Sequence, residues 1–192
     1  MDGTQLSNIL GKKVIEAVKD EKMPLDMKLK RIEFFEDEKA NLNVVDEYGL
    51  TALMWASECG CKEVAEFLIE KGADVEARNF NGQTALLWSS MSGNKDFVKL
   101  LVDKGANVNA KDKLERTALM NASKSGCKEI VDILVAKGAD IKVENFNGKT
   151  ALMLAKEAGH KEIIDILEKA SGSSNKKNNV IRQNFGNNDF GM

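Results

Sequence analysis

Apolar positions in this chain keep a 33-residue clock. Leucine stands at Leu53, Leu86, Leu119 and Leu152, and again at Leu68, Leu101, Leu134 and Leu167. The first set lies in short apolar runs that open with threonine: Thr51, Thr84, Thr117 and Thr150 each precede Ala-Leu-Met or Ala-Leu-Leu. Threonine is a good N-cap, so each run predicts a short helix. The second set belongs to stripes such as Val64, Phe67 and Leu68, whose i, i+3, i+4 spacing predicts a second, amphipathic helix. Glycine punctuates both, at Gly60, Gly93, Gly126 and Gly159 after the first helix and at Gly72, Gly105 and Gly138 after the second. A left-handed residue is needed at such ends, and glycine has no Cβ to oppose it. A fixed period of this length is the signature of a stacked repeat protein. One unit cannot bury its stripe alone, so neighbours must stack to do it.

The units run over residues 46–78, 79–111, 112–144 and 145–170. Their length and their Thr-x-Leu opening resemble ankyrin repeats, whose family phrase is T-P-L-H-x-A. The resemblance covers about two thirds of the chain and recurs four times. It implies an all-α repeat solenoid of helix-turn-helix units with β-hairpin tips. The chain departs from the phrase in two places. Ala52, Ala85, Ala118 and Ala151 replace its proline, and Met54, Leu87, Met120 and Met153 replace its histidine. Apolar packing must then substitute for any hydrogen bonds that histidine would make. Glu115 stands where Gly49, Gly82 and Gly148 stand in the other tips. If that position needs φ > 0, glutamate there costs about 1–2 kcal/mol.

The two ends read differently. Residues 1–45 form a divergent N-terminal helical cap, with a first helix over 11–18, a second over about 25–38, and the only proline, Pro24, at the second helix's start. Val14, Ile15 and Val18 give that first helix an apolar inside, and Lys12, Lys13, Glu16, Lys19 and Asp20 a polar outside. Terminal repeats need such an outer face. Residues 171–192, rich in Asn, Gly and Ser, lack apolar periodicity and are expected to be a disordered tail, with Phe185, Phe190 and Met192 as a conceivable docking motif.

A net charge of −2 argues against generic nucleic-acid binding. No apolar run approaches a membrane span, and the first residues lack a signal-peptide core. Cys59, Cys61 and Cys127 form no evident disulfide framework, so a reducing cytoplasm is the expected location.

Several look-alikes dissolve on inspection. Gly148-Lys149-Thr150 resembles the end of a phosphate loop, but Val143 stands where that loop's first glycine belongs. Asp189-Phe190-Gly191 has none of the kinase motifs that should accompany it. Asn121-Ala122-Ser123 is a formal glycosylation sequon inside a predicted helix. Cys59 and Cys61 lack a second ligand pair, and His160 lies three repeats away. No catalytic residues, no metal ligands and no cofactor are expected; the chain reads as a non-enzyme.

The resemblance instead implies recognition by the row of tips and the concave face of the first helices. Carried over by register, the candidate partner-binding residues are Tyr48, Leu50, Trp55, Arg78, Phe80, Gln83, Trp88, Met91, Lys111, Lys113, Leu114, Arg116, Lys124 and Phe146. Tyr48, Phe80, Leu114 and Phe146 put one large apolar group on each tip, and Trp55 and Trp88 sit behind them. Tyr and Trp dominate interface hot spots. Arg78, Lys111, Lys113, Arg116 and Lys124 make a basic centre that would steer toward an acidic segment of a protein partner. The expectation is a monomeric protein–protein interaction scaffold that binds neither nucleic acid nor membrane. Its rivals are a regulatory subunit or inhibitor that covers an enzyme's active site, and a self-associating assembly protein.

Overall fold

The computed structural model describes residues 2–184 and contains ten α-helices among them. They form five antiparallel pairs. Helices α1 (Gly3–Lys19) and α2 (Leu25–Asp37) make the N-terminal pair. Four more follow: α3 (Ala52–Glu58) with α4 (Lys62–Glu70), α5 (Ala85–Ser92) with α6 (Lys95–Asp103), α7 (Ala118–Ser125) with α8 (Lys128–Ala136), and α9 (Ala151–Ala158) with α10 (Lys161–Asn184). The odd-numbered helices stack on one another in one layer and the even-numbered helices in a second. This is an all-α repeat solenoid.

Each pair is set by the residues that the periodicity singles out. The hydroxyl oxygens of Thr51, Thr84, Thr117 and Thr150 accept from the backbone N–H three residues on, at 3.2–3.5 Å. Gly93, Gly126 and Gly159 close α5, α7 and α9 in the left-handed conformation. The stripes of the second helices are wholly buried at Val64, Leu68, Val98, Leu101, Val131 and Leu134. In the place of the family's histidine, Met54, Leu87 and Met120 are packed out of solvent. Met153, in the last of the described helix pairs, is 48% exposed.

Repeats are also stitched by a ladder that runs through side chains. Asn43 Oδ1 accepts from Asp74 N, Glu76 Oε1 from Asn107 N, and Asn109 Oδ1 from Asp140 N, each at 2.8 Å. Lys142 follows in the same register and has no acceptor atom, so the ladder ends there. Because Asn43 belongs to the first pair, that pair acts as a repeat of its own and docks as the others do.

Two expectations need correction. The first helix begins at Gly3, not near residue 11, because the Asp2 side chain caps it by accepting from Gln5 N at 2.8 Å. Gly11 is therefore mid-helix. A Cβ there would collide with the Asn41 carbonyl and Val44, so its glycine serves close approach of the chain segment at 41–44. Second, the tips are tight hydrogen-bonded turns, and no strand is formed among the described residues. Helix α10 is described over Lys161–Asn184. Phe185, Phe190 and Met192, the conceivable docking motif, lie outside the described residues, as does the Asp189-Phe190-Gly191 triplet.

Candidate partner-binding surface

The four tips are built by one repeat position, the first of each unit, held by aspartate or asparagine. Asp46, Asn79, Asp112 and Asn145 each accept through Oδ1 from the backbone N–H two and four residues on, at 2.9–3.1 Å. Their recurrence every 33 residues was the available signal. Gly49, Gly82 and Gly148 follow with φ between +69° and +78°, and Glu115 matches them at +59°. Lys39 does the same at +67° in the register of Gly72, Gly105 and Gly138. Adjacent tips are joined by Lys113 N donating to Asn81 O at 3.0 Å and Phe146 N to Leu114 O at 3.1 Å. The Phe80 ring lies directly over Gly49 of the preceding tip.

This scaffold presents most of the expected residues. Tyr48, Phe80, Leu114 and Phe146 are exposed on successive tips, from 53% at Leu114 to 79% at Phe146. Trp55 and Trp88 are half-buried behind them, and Met91 is exposed. A pocket of about 300 Å³ opens between Tyr48, Leu50, Trp55, Glu58 and Trp88. A second, of about 270 Å³, opens two repeats on, lined among others by Leu114, Arg116, Lys124, Phe146, Lys149 and Glu157.

Some of the expected residues serve the fold instead. Leu50 is buried and supplies the first pocket's floor. Gln83 is buried, where its Oε1 accepts from Asn79 Nδ2 at 3.0 Å, so it braces a tip and offers nothing outward. The basic centre is largely committed internally. Arg78 Nη1 donates to the carbonyls of Gly82 and Lys111 at 2.7 and 2.6 Å. Lys111 pairs with Glu115 at 2.8 Å and Arg116 with buried Asp112 at 2.7 Å. Lys113 and Lys124 are exposed.

One contributor was missed: Lys19, at the end of α1. Its ammonium lies 4.4 Å from the Trp55 ring centre and 5.0 Å from that of Tyr48, with Asp46 at 3.4 Å and Glu47 at 3.8 Å. Trp55 Nε1 donates to Asp46 Oδ2 at 2.7 Å. Burial alone would raise the Asp46 carboxyl, but hydrogen bonds from Leu50 N, Trp55 Nε1, Tyr48 N and Lys19 outweigh it and hold the group below the usual aspartate value. No sequence pattern links residue 19 to residue 55, because the cap lies outside the clear repeat.

The chemical look-alikes are absorbed by the fold. Burial pushes the Cys59 and Cys127 thiols up, away from the thiolate a nucleophile needs. His160 Nε2 lies 3.1 Å from the Lys124 carbonyl and ties two repeats together. Lys149 pairs with Glu157 at 2.8 Å, and Thr150 is occupied as an N-cap. Asn121 is buried and donates to the Leu87 carbonyl at 3.1 Å, which leaves no room for a glycan. No helix among the described residues is long and apolar enough to cross a membrane.

The family model for ankyrin repeats matches three overlapping stretches, residues 26–79, 76–145 and 111–179, which together run from within α2 into α10. No curated protein matches the chain. With the helix pairs, capped tips and stacked layers in hand, these matches settle the family: the chain belongs to the ankyrin repeats, and a general role in protein–protein interaction comes with that membership.

Proposed function

We propose that this chain is a non-catalytic scaffold that binds a partner protein on its tips and on the groove between tips and first helices. The observation that carries the reading is the row Tyr48, Phe80, Leu114 and Phe146, four exposed apolar side chains held on hydrogen-bonded tips beside two half-buried tryptophans. An exposed apolar row of this kind marks a contact surface. Such a preformed surface loses little conformational entropy on binding, which favours affinity for a given area. The working surface comprises Tyr48, Trp55, Phe80, Trp88, Met91, Lys113, Leu114, Lys124 and Phe146, with Leu50 as floor and Arg78, Gln83, Lys111 and Arg116 as supports.

An acidic feature of the partner fits the third and fourth repeats, where Lys113 and Lys124 are exposed. The reading takes the chain as a monomer in the cytoplasm, and three free cysteines suit a reducing compartment. The test is affinity capture with wild type and with a Tyr48→Ala/Phe80→Ala/Trp88→Ala variant whose fold is verified by circular dichroism. A protein retained by wild type alone supports the surface; equal retention by both refutes it.

A further inference from the structure

The two pockets of the groove have opposite charge. Around the first, Lys19 supplies one positive charge against the three carboxylates of Asp46, Glu47 and Glu58. Its walls are the rings of Tyr48, Trp55 and Trp88, and Glu58 Oε2 accepts from Trp88 Nε1 at 3.2 Å. Around the second, Arg116, Lys124 and Lys149 supply three positive charges against the two carboxylates of Glu157, which lines it, and of Asp112, which pairs with Arg116. Register places both on the same columns of the array: Trp55, Trp88, Asn121 and Leu154 in one, and Glu58, Met91, Lys124 and Glu157 in the other.

We infer that the groove takes an extended partner segment of mixed sign, seating a lysine or arginine side chain in the Tyr48–Trp55–Trp88–Glu58 pocket and an aspartate or glutamate against Lys124. The inference rests on the groove being the binding surface, and it names the chemistry of what binds there. An aromatic face attracts a cation, and more strongly once water is excluded. The molecule already displays that preference, because Lys19 seats its ammonium over Tyr48 and Trp55. The Lys19 charge is met by Asp46 and Glu47, and Lys19 does not line the pocket, so the Glu58 carboxylate is left to meet an incoming cation. The aliphatic stem of lysine or arginine suits the Leu50 floor while its charged head reaches Glu58. A wholly acidic segment would meet a net negative pocket at this end of the groove. Opposite ends of opposite sign also fix the direction in which a segment lies, since reversing it would put like charges together at both pockets.

The test is selection of random displayed peptides on the full chain, with a Tyr48→Ala/Trp88→Ala variant for counter-selection. The expected consensus pairs Lys or Arg among apolar residues with Asp or Glu further along. Affinities of selected peptides are then read by intrinsic fluorescence, for which Trp55 and Trp88 are the chain's only tryptophans. Glu58→Gln keeps an acceptor for the Trp88 indole and removes the charge. It should weaken the peptides about tenfold, as expected for loss of one charge-assisted contact, and Lys124→Gln should weaken the same peptides at their acidic residue. A consensus without a cation, or affinity unchanged in Glu58→Gln, overturns the inference and leaves the groove as binding surface. Failure to select any peptide that depends on Tyr48 and Trp88 overturns both.

Discussion

The indole N–H of Trp55 donates to the carboxylate of Asp46 at 2.7 Å, and this one bond joins the first tip to the first helix of its repeat. Asp46 is thereby two things at once. Its Oδ1 shapes the tip, as Asn79 and Asn145 do in theirs, while its Oδ2 receives Trp55 and Lys19.

That division predicts a pH dependence. The folded-state pKa of Asp46 lies below its ordinary value, so its stabilisation is present above the usual aspartate range and is lost as pH falls through the folded pKa. Asp46→Asn keeps the tip, as the asparagines of the second and fourth tips demonstrate, and removes the titration. Denaturant unfolding from neutral to acidic pH should show a smaller loss of stability for the variant than for wild type. Parallel curves would contradict the assignment.

Among the described residues, Glu115 and Lys39 are the two non-glycine residues with positive φ, and each stands in a glycine's register. Replacing either by glycine relieves a left-handed conformation that costs about 1–2 kcal/mol, offset by about 0.5–1 kcal/mol of added chain entropy. Glu115→Gly also gives up the exposed pair with Lys111, a contact of small value. Both substitutions should raise the melting temperature modestly, and a lower value for Lys39→Gly would contradict the argument.

Gly11 is a different case, since its need is space within a helix. Gly11→Ala should push the 41–44 segment off α1 and cost about 1–3 kcal/mol, despite alanine's better helix propensity. Thermal unfolding of the variant reads this directly. A gain in stability would mean that α1 does not dock as described.

Met120 and Met153 hold equivalent positions with opposite surroundings, 1% against 48% exposed. Met120→Ala should cost about 2–5 kcal/mol and Met153→Ala well under half of that. Similar losses at both positions would imply that something covers the end of the fourth repeat.

The repeat was legible because stacking makes each unit solve the same problem, so Thr51, Leu53, Gly60 and Leu68 return with each turn of the clock. The extent of α1 was hidden by Gly11, whose punctuating role elsewhere in the chain made it read as a beginning. The groove was half legible. Its aromatic rows follow from register, but which cations remain outward does not, because pairing of Lys111 with Glu115 and of Arg116 with Asp112 depends on side-chain geometry inside each tip. The seating of Lys19 on Trp55 depends on how the cap stacks, and a divergent cap carries no register from which to read it.

The central claim, that partners bind the tip-and-groove side of the array, is tested most directly by covalent side-chain footprinting of the full chain with and without its captured partner. The account predicts that Tyr48, Phe80, Trp88, Leu114 and Phe146 lose reactivity together, while exposed side chains of α4, α6 and α8 keep theirs. Protection confined to α4, α6 and α8, with Tyr48 and Trp88 unchanged, would contradict it.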